Sequence, residues 1–373
     1  MRAATGRRRL RAWVILGVAA VGLLLAAAVI SVYLGSIFGV QVALFSAAVA
    51  AIPLGIVIPT FLWLDRFEAE PTRFLLLAFG WGAFAATIIS ALLNTSAQAA
   101  LKAVTDPESA ALGTAVLVAP IVEETFKGLL VLLVWWLLRR EFDGVTDGIV
   151  YAGVAAAGFA FTENIQYLAV AYQEGGTEAF TWTFVLRCLM APFAHPMFTI
   201  LTGIGVGVAA TSRSRWAKVI APVVGLALAI LLHGLWNLGA SLGGSGYLTI
   251  YFLVEVPIFL AFIGLIVWTR RREGRLIGRF LQPYADAGWL SESEVAMLGS
   301  MGRRREARVW ARANAGTQGL AAMREFQDSA SELALLRHRM SHSAADEHAL
   351  ATERLLMADL VARRRQFIGQ AVA

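Results

Sequence analysis

Apolar runs long enough to cross a membrane alternate with short polar breaks through the first two thirds of the chain. They cover about 12–34, 40–64, 74–93, 112–138, 148–171, 181–210, 219–242 and 247–268. A helix needs roughly 20 apolar residues to cross a hydrocarbon core of about 30 Å. The pattern therefore predicts an all-α polytopic membrane protein with about eight transmembrane helices. From Glu273 the composition changes to Arg, Glu and Ala, with apolar positions at helical spacing and short breaks at Gly299, Gly302 and Gly316. This predicts a cytoplasmic helical C-terminal tail. Ser291 and Glu294 form a capping box ahead of Val295, which marks one helix start within it. The expected organisation is a basic N-terminus (1–11), N-terminal transmembrane helices (12–111), a transmembrane core carrying the chemistry (112–242), a last transmembrane helix (243–272) and the tail (273–373).

Charge adds an orientation. Arg and Lys gather at the N-terminus, at Arg66 and Arg73, at Arg139 and Arg140, at Arg213, Arg215 and Lys218, and at Arg270–Arg272. The opposite loops (Gly35–Gly39, Gln173–Glu178 and Gly243–Gly246) carry none, and Lys102 is the exception. By the positive-inside rule both termini are expected in the cytoplasm, with the chain in the cell membrane. A hydrophobic share of 58% excludes an ordinary soluble protein. The net charge of +6 does not point to nucleic acid, because the arginines flank apolar spans, where they orient helices and meet anionic lipid of the bilayer. The first apolar run exceeds the ~15 residues of a signal-peptide core and reads as an uncleaved anchor. The single cysteine, Cys188, rules out an intramolecular disulfide and a thiolate zinc cluster.

The chemistry lies in the few polar side chains inside the spans. Glu123, Glu124 and Lys127 interrupt the fourth run; Glu163 and Asn164 lie in the fifth, His195 in the sixth, and His233, Trp236 and Asn237 in the seventh. Each ionised group near mid-membrane costs on the order of 3 kcal/mol, so such groups are paired, solvated or functional. Counting ~1.5 Å per residue from the outer boundary puts Glu124 at about 18 Å, Glu163 at about 12 Å, His195 at about 20 Å and His233 at about 14 Å. They share one layer between spans four to seven. Glu123 and Lys127 stand at i and i+4, which fits an intrahelical ion pair as well as catalysis. Glu124 points about 100° away without such a partner and reads as the general base. A desolvated carboxylate suits water activation, histidine can share the proton, and Asn164 or Asn237 can donate to an oxyanion. Alternatively, His195, His233 and Glu163 suit Zn²⁺, although no HExxH helix is present. Trp236 reads as packing beside the site. Pro192 and Pro196 are expected to open the helix around His195. Arg187 lies near the boundary and is given no catalytic role, and Gly153, Gly158, Gly203, Gly205 and Gly207 suit close helix packing. The rival classes are a proton- or ion-coupled transporter and a non-catalytic membrane scaffold; no inverted repeat favours the former.

Glu123-Glu124-x-x-Lys127, Phe159-x-x-x-Glu163-Asn164, His195 with Gly203 eight positions on, and His233-x-x-Trp236-Asn237 resemble the successive motifs of the PrsW family of intramembrane proteases. That family is similar in core fold to CAAX-prenyl-protease and bacteriocin-processing relatives. The resemblance spans about Leu112–Leu242 and implies cleavage of a membrane-anchored protein substrate such as an anti-sigma factor. It implies that Glu123 and Glu124 carry the catalytic carboxylate and that His195 and His233 assist or ligate. Relatives are described both as metalloproteases and as glutamate-dependent proteases, so it leaves Zn open. No motif covers the tail, where His338, His342 and His348 are spaced like a solvated helix face; docking of a cytoplasmic partner is the expectation there.

Overall fold

A computed structural model describes residues 2–67, 69–137, 142, 144–342 and 347–368; the side chains of residues 2–16, 245, 342 and 348 lie outside the described set. That set excludes Arg139 and Arg140, the expected end of the fourth span, and the side chains of Arg7–Arg9, His342 and His348. All described regular structure is helical: α1 (Arg2–Phe38), α2 (Val40–Ala50), α3 (Leu54–Leu64), α4 (Thr72–Gly80), α5 (Thr87–Lys102), α6 (Pro107–Gly113), α7 (Ala119–Leu137), α8 (Val145–Thr183), α9 (Ala194–Thr211), α10 (Arg215–Leu242), α11 (Gly244–Ile250), α12 (Val256–Asp286), α13 (Glu292–Leu298), α14 (Met301–His342) and α15 (Glu347–Ile368). Wider π-helical turns join some of them, over Trp81–Ala86, Thr114–Val118, Phe184–Met190 and Tyr251–Glu255.

Among the described residues five helical runs are long and apolar enough to cross a membrane: Gly17–Phe38, Thr72–Lys102, Val145–Thr211, Arg215–Leu242 and Gly246–Asp286. The pair α2 and α3, bent by 40°, makes a sixth if it counts as one span. The difference from the expected eight has two physical sources. Val145–Thr211 contains two of the expected spans, interrupted by non-helical backbone at Gly175 and Gly176, the latter at φ 63° where glycine is favoured. The expected fourth span is realised as α6, the turn Thr114–Val118 and α7, and is not among these runs; its expected end at Leu138 lies outside the described residues. The helix also breaks at Ala191–Phe193, beside Pro192 as expected.

The chain divides into two compact units, one of Met1–Trp63 with Glu70–Phe262, the other of Leu64–Ala69 with the chain from Ile263 onward. In the first, α8 is central and buried without a break from Asp147 to Phe159. It packs on α9 through Gly148 and Gly203: a methyl on either would stand 2.0 or 2.1 Å from the other's carbonyl oxygen, so only hydrogen fits. Trp81 Nε1 donates to Phe126 O at 2.8 Å and Thr162 Oγ1 to Ala83 O at 2.7 Å, fixing α7 and α8 against the same π-helical turn. Cys188 is a buried free thiol in the apolar cluster around Leu168 and Phe180.

The second unit has its own core of Ile277, Leu281, Phe326, Leu333 and Leu360 around Phe67. The expected capping box is present: Ser291 Oγ accepts from Glu294 N at 3.2 Å and Glu294 Oε2 from Ser291 N at 2.7 Å. Arg304 is fully buried, donating to Leu298 O (2.8 Å) and Ser331 Oγ (2.6 Å) with its guanidinium over the Phe67 ring. Burial pulls its pKa down to about 10, which leaves it charged near neutral pH. His338 packs edge-on against Phe280.

Candidate active site

Helical spacing presents the polar groups in pairs. On α9, His195 and Thr199 stand at i and i+4; on α10, His233, Trp236 and Asn237 stand at i, i+3 and i+4, so each set shares one face. α7 brings Glu123, Glu124 and Lys127 opposite both faces, α8 brings Glu163 and Asn164, and the turn Phe184–Met190 brings Arg187.

Glu124 is fully buried and held on three sides. Lys127 Nζ lies 2.5 Å from its Oε1, His233 Nδ1 lies 2.9 Å from the same oxygen, and Thr199 Oγ1 donates to Oε2 at 2.7 Å. This corrects the expected pairing: Lys127 joins Glu124 at i+3 rather than Glu123 at i+4, and Glu124 is the carboxylate without spare capacity. The ammonium has further partners on that side, His195 Nδ1 at 3.2 Å and the face of Phe159 at 4.4 Å. Lysine only donates, so without an ion His195 Nδ1 accepts and Nε2 carries the ring proton; an ion held at Nε2 requires the other tautomer, with Lys127 left to Glu124.

Glu123 is the less satisfied acid. Its Oε1 accepts from Asn94 Nδ2 at 3.2 Å, whereas buried Oε2 makes no hydrogen bond and lies 3.7 Å from His233 Nε2. His233 is thus set between the two acids of α7, its Nδ1 fixed by Glu124 and its Nε2 turned to Glu123. The two imidazoles meet edge to face with ring centres 5.0 Å apart.

Glu163 faces a different cation from any expected at the sequence level. Arg187 donates to Glu163 Oε2 at 2.5 Å and to Asn164 Oδ1 at 3.0 Å, and its guanidinium lies 3.8 Å from the centre of the Tyr167 ring. His195 Nε2 is 2.7 Å from the same Glu163 oxygen but off the hydrogen-bonding line, so that nitrogen makes no hydrogen bond. Arg187 therefore joins the polar cluster through Glu163 and Asn164. Asn237 Nδ2 donates to Ala115 O at 2.8 Å, which ties α10 to the turn Thr114–Val118. Trp236 is buried, as expected, and borders a small cavity with Asn164, Arg187 and His195. That cavity holds about 10 Å³, the room of roughly one water.

One ligand atom each from Glu123, His195 and His233 lie within 4.8 Å of one another. This set has Glu123 where the expected trio has Glu163, whose carboxylate lies against Arg187. Its chemistry fits a divalent metal: one carboxylate and two imidazoles is a donor set for Zn²⁺, the buried Oε2 of Glu123 lacks a hydrogen bond, and Glu124 orients His233 as carboxylates orient metal-binding histidines.

Residues 70–262 match the family described as PrsW family intramembrane metalloprotease. The chain belongs to the PrsW family. It is 30% identical over 200 residues to Protease PrsW of Geobacillus kaustophilus, covering 52% of this chain and 79% of that protein. It is 34% identical over 117 residues to Protease PrsW of Oceanobacillus iheyensis (31% of this chain, 49% of that one), and 26% identical over 226 residues to that of Bacillus subtilis (60% and 94%). No solved structure matches the chain. The chain is thus a PrsW-type intramembrane peptidase, a multi-pass membrane protein acting on protein substrates, and the matched segment contains every residue of the site. The transporter and scaffold readings fall away with this match. Asn94 and Thr199 escaped the sequence reading. Thr199 could have been found from its i+4 spacing to His195; Asn94 gave no local signal, because its partner lies on another helix.

Proposed function

We propose that this chain hydrolyses a peptide bond of a membrane-anchored protein, of the anti-sigma-factor kind, at a centre where Glu123, His195 and His233 hold a divalent metal such as Zn²⁺. The observation that carries this reading is the buried, unbonded Oε2 of Glu123 beside the two histidines. The ion, when bound, supplies Lewis acidity, polarising a carbonyl and making water acidic enough to react near neutral pH. Glu124 fixes the orientation of His233, and Lys127 offsets the charge of Glu124. Glu163, steadied by Arg187, takes the proton of the attacking water and returns it to the leaving amine. Asn164, whose Oδ1 is engaged by Arg187, keeps its Nδ2 to donate to the oxyanion of the tetrahedral state. The helix break at Ala191–Phe193 leaves backbone beside His195 to receive the substrate chain.

The test is the purified full-length chain in micelles with a membrane-anchored substrate, found by labelling new N-termini in cells. Cleavage is expected to drop at least tenfold with 1,10-phenanthroline and to return with Zn²⁺. Undiminished cleavage by metal-free protein would sink the metal assignment, and the lack of any chain-dependent new N-termini would sink the protease one.

The reading includes eight spans with both termini in the cytoplasm. They are α1, α2 with α3, Thr72–Lys102, Pro107–Leu137, the two arms of Val145–Thr211, α10 and the first part of Gly246–Asp286. The alternating Arg and Lys clusters support it. A reporter enzyme joined after Ile368 is expected to be active only in the cytoplasm; periplasmic activity would reverse the orientation.

A further inference from the structure

The last transmembrane run carries a carboxylate for which the chemistry above has no use. Glu255 ends the π-helical turn Tyr251–Glu255, is 3% exposed, and has no hydrogen-bond partner for either carboxylate oxygen. An acid at such depth is costly and normally marks a function. It borders a cavity of about 70 Å³ together with Met190, Pro192, Met197, Tyr251 and Phe259. That volume admits a few waters or the end of one side chain. The other lining side chains have no donor to spare: the Tyr251 hydroxyl is already given to Met190 O at 3.0 Å, and the rest are apolar. No side chain lining the cavity offers Glu255 a donor, so the cavity is open to one brought by a substrate.

The position of the cavity says where from. Ala191, Pro192 and Ala194 border both this cavity and the small one at Asn164, Arg187 and His195. The two cavities adjoin across the helix break that leads into His195. Two π-helical turns, Phe184–Met190 and Tyr251–Glu255, flank the larger one, and such turns concentrate at functional sites.

We propose that the Glu255 cavity is a substrate subsite that receives a basic side chain, lysine or arginine, lying within a few residues of the cleaved bond. The inference rests on the proteolytic reading of the Glu123 centre. A basic side chain reaches such a pocket from a membrane segment because its long apolar stem packs along Met190, Met197 and Phe259 while its charged end seeks a polar partner. A charge-assisted hydrogen bond of this kind is strong enough to set selectivity at roughly ten- to hundredfold.

The test has one arm without turnover and one with it. In the first, the full-length Glu123→Gln chain in micelles is treated with N,N′-dicyclohexylcarbodiimide, and modification of Glu255 is followed by mass spectrometry. Single-span peptides with one lysine scanned along the segment are added, with leucine and glutamate counterparts. At one lysine position modification is expected to slow about tenfold or more, and with leucine or glutamate it is expected to be unchanged. No protection by any lysine peptide, or equal protection by leucine, overturns the proposal and leaves water as the occupant. In the second arm wild type is expected to cleave the matching lysine peptide at least about tenfold faster than the leucine one, with that ratio falling to near one in Glu255→Gln. An unchanged ratio in the variant overturns the subsite. Protection in the first arm with no cleavage by wild type in the second supports the subsite and overturns the catalytic reading of the Glu123 centre instead.

Discussion

Replacing Glu123 with glutamine is expected to lower kcat/KM by about a thousandfold or more, a loss of roughly 4 kcal/mol of transition-state stabilisation. The structure makes this substitution clean. Glutamine keeps an oxygen for Asn94 Nδ2, so the bond to α5 survives, while the anionic oxygen facing His233 is lost. That oxygen takes part in no hydrogen bond, so the folded chain is expected to melt within a few degrees of wild type. Kinetics on the purified variant with the identified substrate decide the matter, and activity within threefold of wild type would remove Glu123 from the centre.

Lys127→Met is expected to act on stability first. Glu124 and Lys127 are both fully buried 2.5 Å apart, and methionine has nearly the shape of the lysine stem without its charge. Removing one partner of a buried pair leaves an uncompensated charge, which costs about 3–5 kcal/mol. The His233 and Thr199 contacts to Glu124 lessen the loss without cancelling it. Unfolding of the variant in micelles is expected at clearly lower temperature, and adding Glu124→Gln is expected to restore part of the difference because the stranded charge is then gone. A Lys127→Met protein as stable as wild type would show that the pair does not hold the site together.

The layer of polar groups was legible in the sequence because charges are conspicuous in apolar runs. Glu123, Glu124, Lys127, Glu163, His195 and His233 all meet in the folded chain, and the Ser291–Glu294 cap and the break beside Pro192 are also where local sequence put them. What was not legible was the division of labour. Neighbouring residues on a helix differ by about 100° in direction, so whether Glu123 or Glu124 meets Lys127, His233 and Thr199 depends on how α7 is turned against α9 and α10. Sequence spacing favoured the i+4 pair, and the tertiary partners of Lys127 selected i+3. The partner of Arg187 was not legible for a related reason: depth along its own helix says nothing of the acid that holds it, which lies on α8. The number of apolar spans differs because composition finds runs and not breaks. The two expected spans on either side of Gly175–Gly176 form one run, and the expected end of the fourth span lies outside the described residues.

The measurement closest to the central claim is the metal content of purified, folded protein, wild type against the His195→Asn/His233→Asn double variant, by inductively coupled plasma mass spectrometry alongside cleavage of the same substrate. The account predicts about one divalent transition metal per active wild-type chain, with metal and activity both lost in the variant. A wild-type chain that cleaves at full rate without metal, or a double variant that keeps its metal, would contradict it.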